Sequence, residues 1–148
     1  MEAVVEFHGF KDNNNKFILK EFCIVGRSYR TQIVFRPPYS FNFLNSKMKR
    51  TARWLTRHFH HIKWDDGEIE YSEELIRSLC KPFEVIHTKG LEKAQFLREF
   101  HHNVKEINIE NSSDSKEFID CIIHKNIENC ALMSAKYYAR KLFPSGVE

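Results

Sequence analysis

Cys121, His124 and Cys130 form a C-x2-H-x5-C run near the C-terminal end of a 148-residue chain that holds four cysteines. Two thiolates and an imidazole at this spacing can fill three corners of a tetrahedral Zn²⁺ site. The fourth corner must come from elsewhere. Near the N-terminus, Ala3-Val4-Val5-Glu6-Phe7-His8 sets a carboxylate and an imidazole inside an apolar run. Strand side chains alternate, so Glu6 and His8 share a face and compete for one place. An unpartnered carboxylate in such a strand costs on the order of several kcal/mol, and a bound metal would account for it. His87, at the end of a later strand, is a third candidate. The plainer alternative is that Cys121 and Cys130 are small buried hydrophobes and His124 an exposed helix residue, since this spacing is not a common finger pattern.

Two further clusters could carry chemistry. Lys47, Lys49, Arg50, Arg53 and Arg57 fall within eleven residues of a helical segment that also carries Trp54. Such a face can contact phosphates, each contact making binding more salt-sensitive. It can equally be an ordinary solvated helix face. An acidic group follows at once: Asp65, Asp66, Glu68, Glu70, Glu73 and Glu74. The formal charge of +3 is far from the balance of a dedicated nucleic-acid binder. His58, His60 and His61 stand beside Arg57 and Lys63, where a histidine pair can act as acid and base near neutrality. They can also be plain surface residues at a helix end.

The elements that must position these groups can be read from periodicity. Ala3–His8 is a short apolar strand suited to a central position. Phe17–Val25 follows a turn rich in Asp12, Asn13, Asn14 and Asn15. Thr31–Phe35 makes a third strand, ended by Pro37-Pro38. Asn45 or Ser46 caps a helix from Lys47 to about His58, with Met48, Ala52 and Leu55 at helical spacing. Trp64–Ile69 reads as a turn with a short extended arm, and Ser72 caps a helix through Leu79. Phe83–His87 is a strand, Leu91–Phe100 a helix after Gly90, and Val104–Ile109 an extended segment. A helix through Phe118, Ile119 and Ile122 brings Cys121 and His124 onto one face. A last helix runs from Ala131 to Leu142, stopped by Pro144-Ser145-Gly146.

On these residues the chain resembles the RNase H-like domain of the Maelstrom family, which descends from DEDDh-type 3'-5' exonucleases. The resemblance runs from about Val4 to Leu142. It is most specific in Cys121-x2-His124-x5-Cys130 and the Ala131-Leu132-Met133-Ser134-Ala135 that follows, and weaker in Val85 to Leu97. It implies an α/β, RNase H-like mixed sheet flanked by helices, with a Glu-Cys-His-Cys zinc site falling on Glu6, Cys121, His124 and Cys130. The HMG box of animal Maelstrom proteins is not in the sequence, which implies a compact relative. The parent exonuclease pattern needs an Asp-x-Glu pair in the first strand, an acid after the central strand, and a histidine followed by an aspartate. This chain offers Glu6-x-His8, Glu92, and His124 with Asn129 and Cys130. Histidine and asparagine cannot replace the missing acids as Mg²⁺ ligands, so parent catalysis is expected to be lost. Glu92 can instead be a plain helix N-terminal acid. The implied role is a catalytically degenerate module with structural zinc, binding single-stranded RNA or a protein of a small-RNA silencing pathway. The alternatives are a metal-independent single-strand endoribonuclease and a protein-only adaptor using Trp54, Phe59, Trp64 and Tyr71, which can equally be core.

The length suits one domain over residues 1–148, because two cores would each be small. No stretch has the length of a membrane span or the flanks of a signal peptide. Four irregularly spaced cysteines do not read as a disulfide framework, so the expected compartment is reducing, cytoplasmic or nuclear.

Overall fold

The computed structural model describes residues 1–59, 61–108 and 131–143. The described elements are β1 (Glu2–Lys11), β2 (Phe17–Gly26), β3 (Arg30–Arg36), α1 (Ser46–His58), β4 (Ile69–Glu70), α2 (Glu73–Cys80), β5 (Val85–Thr88), α3 (Leu91–Leu97), β6 (Val104–Glu106) and α4 (Ala131–Leu142). They form a mixed α/β arrangement: one six-stranded sheet, in the order β4-β3-β2-β1-β5-β6, with four helices. β2 pairs antiparallel with β1 and β3, while β5 runs parallel to both β1 and β6. None of the described helices is long and apolar enough to cross a membrane.

β1 is central for the reason its composition suggests: both faces are buried. Ala3, Val5 and Phe7 join Phe22 and Ile24 of β2, Ile76 and Cys80 of α2, and Ala94 and Leu97 of α3 in one core. Val4, with Cys23 and Val25, faces the opposite core, built with Ala131, Leu132, Ala135, Tyr138 and Ala139 of α4. A third cluster, Phe10, Ile18, Leu44, Ala52 and Trp64, seats α1 against the far end of the β1–β2 hairpin. Burying a large aliphatic or aromatic side chain stabilises by about 1.5–3 kcal/mol, so these three clusters hold the sheet between its helices.

A bulge shapes the hairpin. Glu21 lies opposite His8 but Leu19 opposite Gly9, which leaves Lys20 as the extra residue of β2. Gly9 is required there, because a Cβ would run into the Ile18 carbonyl and the Phe17 ring. The bulged Lys20 is fully buried and its Nζ donates to the Trp64 carbonyl at 2.8 Å.

The caps form where the sequence places them: Asn45 Oδ1 accepts from Met48 N–H, and the Ser72 hydroxyl accepts from Leu75 N–H. Several boundaries differ, β1 extending to Lys11 and β6 ending at Glu106, and two of the differences have a local cause. α3 stops at Leu97 rather than Phe100, because Phe100 N–H and His101 N–H both turn back to the Leu97 carbonyl and Phe100 folds into the core. β5 begins at Val85 because Phe83 N–H closes a turn onto Cys80 instead of joining the ladder. The expected helix over Phe118 to His124 lies outside the described residues.

Candidate functional site

β1 has the antiparallel β2 on one side and the parallel β5 on the other, and β5 pairs with it only over Glu2–Val4. Beyond that point the sheet opens between the carboxyl ends of β1 and β5. Crevices at such switch points are where open α/β sheets place their sites. Glu6 stands at this position, 3% exposed. Its Oε1 accepts the Lys89 backbone N–H at 3.1 Å, and its Oε2 accepts Lys93 Nζ at 2.8 Å. The Lys93 ammonium also lies 5.5 Å from the centre of the Phe7 ring. Both oxygens of the buried carboxylate therefore have charge-assisted or backbone partners.

That pairing is what sequence reasoning missed. The acid in the apolar strand calls for a partner, and Lys93, eighty-seven positions away, meets it. Its signal in the sequence is the adjacent pair Glu92-Lys93 at the start of α3. Of the four expected zinc ligands, Glu6 alone is among the described residues; Cys121, His124 and Cys130 lie outside them. A zinc ligated by Glu6 would compete with the Lys93 ammonium for the same carboxylate. Among the described residues, no three His, Cys, Asp or Glu side chains converge so as to hold an ion.

The rival candidates His8 and His87 have neighbours of their own. His8 packs edge-on against Phe59, with ring centres 5.1 Å apart. His87 Nε2 is 2.7 Å from Glu2 Oε1, which lowers the Glu2 pKa through that hydrogen bond against the opposing effect of its burial. Next to Lys93 opens a cleft of about 600 Å³ between β1, α1 and α3, walled by Phe7, Phe10, Phe17, Phe59 and Phe96, with Lys11 and Glu92 also lining it. Glu92 is thus beside the cleft, while Glu6 is tied to Lys93.

The basic helix forms as expected, and its thirteen residues contain no acid. Lys47, Arg50, Arg53 and Arg57 are exposed and Lys49 is half-buried. The structure splits the five. Lys49 and Arg53 lie over the Phe41 ring, at 5.8 and 5.1 Å from its centre. At about 100° per residue, Arg50 and Arg57 fall on one side of Trp54 and Lys47 on the other. None of the five has an acidic partner within 4 Å among the described residues, whose ion pairs are elsewhere. Trp54 is 56% exposed, and its ring centre lies 5.4 Å from that of His58 with the planes tilted by 45°.

The other candidate residues divide. Trp64 is buried in the α1 cluster, and Tyr71 packs on the main core against Phe35. Phe59 covers His8, which leaves Trp54 as the exposed aromatic of that set. Of the histidine cluster, His58 packs at a tilt against Trp54 and His61 takes a left-handed backbone (φ 59°), while His60 lies outside the described residues.

Burial of Lys20 pushes its pKa down to about 8, partly offset by Asp66 and Asp65 nearby. Tyr39 is pushed up to about 12 by burial and by its 2.7 Å hydrogen bond to the Asp12 carboxylate. No family model matches the chain, and no curated protein or solved structure matches it either.

Proposed function

We infer that this chain is a catalytically degenerate, RNase H-like module that retains a nucleic-acid-facing surface on α1. The observation that carries the reading is the Glu6–Lys93 pair. Two-metal phosphodiester cleavage needs carboxylates that are available to cations at the centre of the sheet. Here the central strand's carboxylate already holds an ammonium at 2.8 Å, a fixed positive charge that repels a divalent ion from that oxygen. The β3-β2-β1 antiparallel block followed by parallel β5 and β6 supports the RNase H-like resemblance, as does α4 packing across β1 and β2. The Maelstrom likeness remains a proposal resting on the Cys121, His124, Cys130 run.

In this reading zinc is structural. Cys121, His124 and Cys130 would hold it, with Glu6 as the fourth ligand only if Lys93 yields the carboxylate. Single-stranded RNA lies along Lys47, Arg50, Arg53 and Arg57, whose charges are unopposed by acids on the same helix. The protein would then serve an RNA-silencing assembly, in the cytoplasm or nucleus, by retention rather than turnover.

A labelled single strand incubated with Mg²⁺, Mn²⁺ or chelator tests this. The expected result is retention without degradation, weakened by Arg50→Ala and Arg53→Ala, each lowering the salt slope by about 0.7. Ion-dependent cleavage lost in Glu6→Gln and Glu92→Gln would overturn the degenerate reading. Cleavage in chelator would favour the endoribonuclease alternative, and neither retention nor cleavage the protein adaptor.

A further inference from the structure

A cavity of about 470 Å³ opens where α1 meets the Lys63–Asp66 segment. Its walls are aromatic. Phe41 carries the Arg53 guanidinium 5.1 Å over its ring, and Trp64, 2% exposed, lines the cavity with its indole N–H already donated to the Tyr39 carbonyl. Trp64 therefore backs the cavity, with little ring surface exposed and no free donor. Arg53, Arg57 and Lys63 bring positive charge, and Asp65 and Asp66 bring two carboxylates. One Asp65 oxygen accepts the Phe41 N–H at 3.0 Å, while the exposed Asp66 accepts no hydrogen bond among the described residues. The cavity thus asks for a flat ring, an anionic group reaching the cations, and a hydrogen-bond donor for the carboxylates.

Few ligands meet all three demands. A phosphate seated among the carboxylates would be repelled, so the anionic group belongs with Arg57 and Lys63 and the donor with Asp66. Adenine, cytosine and guanine carry an exocyclic amino group, whereas uracil turns a carbonyl oxygen to the same place. We propose that this cavity takes one amino-bearing nucleobase of a single strand whose phosphates run along α1. The proposal rests on the RNA reading of α1 and deepens it: the helix holds the backbone, and the Phe41–Trp64 cavity selects the base. A stack on the Phe41–Arg53 pair gives sequence-tolerant affinity, and Asp66 supplies the discrimination.

The chain has two tryptophans, so Trp54→Phe leaves Trp64 as the sole reporter at the cavity wall. That protein is titrated with AMP and UMP, and with six-nucleotide adenine, uracil and abasic strands. AMP is expected to change Trp64 emission, and the adenine strand to bind about tenfold tighter than the uracil strand, with the abasic strand weaker than both. Asp66→Asn, at an exposed turn position, should abolish the preference for adenine over uracil, leaving both above the abasic strand, while the far-ultraviolet dichroism stays unchanged. Arg50→Ala, outside the cavity, should weaken all three strands equally and leave the preference intact. Equal binding of the three strands would overturn the base cavity while leaving the phosphate-binding helix standing. No retention of any strand would overturn the RNA reading itself, and AMP response in that case would show the cavity to be a mononucleotide site instead.

Discussion

Replacing Lys93 by methionine keeps most of the aliphatic stem but removes the ammonium from Glu6 and from the Phe7 ring. The carboxylate, with 4% of its side chain exposed, would then rely on the single Lys89 N–H bond. Breaking a fully buried pair by removing one partner costs about 3–5 kcal/mol. Lys93 is 30% exposed, so solvent screens part of the interaction, and about 2–3 kcal/mol is the expected loss. The converse change, Glu6→Gln, keeps an acceptor for Lys89 and frees Lys93 to turn toward water, costing about 1 kcal/mol. The double variant should fall close to Glu6→Gln alone, giving a coupling energy of about 2–3 kcal/mol. Urea unfolding followed by far-ultraviolet dichroism reads this directly. With a slope near 1.5 kcal/mol/M, Lys93→Met should lower the midpoint by roughly 1.5 M at unchanged slope. A Lys93→Met protein within about 0.5 kcal/mol of the parent, or single effects that simply add, would refute the pairing as the reason Glu6 is tolerated in β1.

Purified protein should hold one zinc, and Cys121→Ser or Cys130→Ser should lose it together with much of the folding stability; elemental analysis finding none in unchelated protein refutes this. If Glu6 is the fourth ligand, Lys93→Met should tighten zinc, and unchanged affinity in a competition titration would assign the place elsewhere. Cys80, whose thiol burial pushes up to about 12, should resist a thiol reagent at pH 8 until denaturant is added. Prompt native labelling of Cys80, located by peptide mapping, would contradict its burial. Lys20 binds its proton less tightly folded than unfolded, near 8 against 10.5. Between those values the unfolded chain holds the extra proton, so stability from this residue rises with pH. Lys20→Met should therefore gain most over the parent at pH 7 and lose that advantage by pH 10; parallel stability curves would refute it.

Local pattern was enough to place β1 at the centre, since a run buried on both faces reads as continuous apolar sequence. It was enough also for the Asn45 and Ser72 caps, because a cap is decided within three residues. The acid-free charge of α1 was likewise visible, and so was the demand that Glu6 creates. Which group answers that demand was not, because alternation along a strand gives the face and not the neighbour. Lys93 reaches Glu6 only because β5 ends at Thr88 and α3 starts at Leu91, which sets the helix's first turn at the opening beside β1. The same holds for Lys20, whose burial follows from a one-residue bulge in β2, and for the split of α1's cations by Phe41. Composition and period-bound chemistry act over a few residues and survive in the sequence. Pairings across the sheet opening and under α1 depend on how distant segments cross, and the tertiary structure alone decides them.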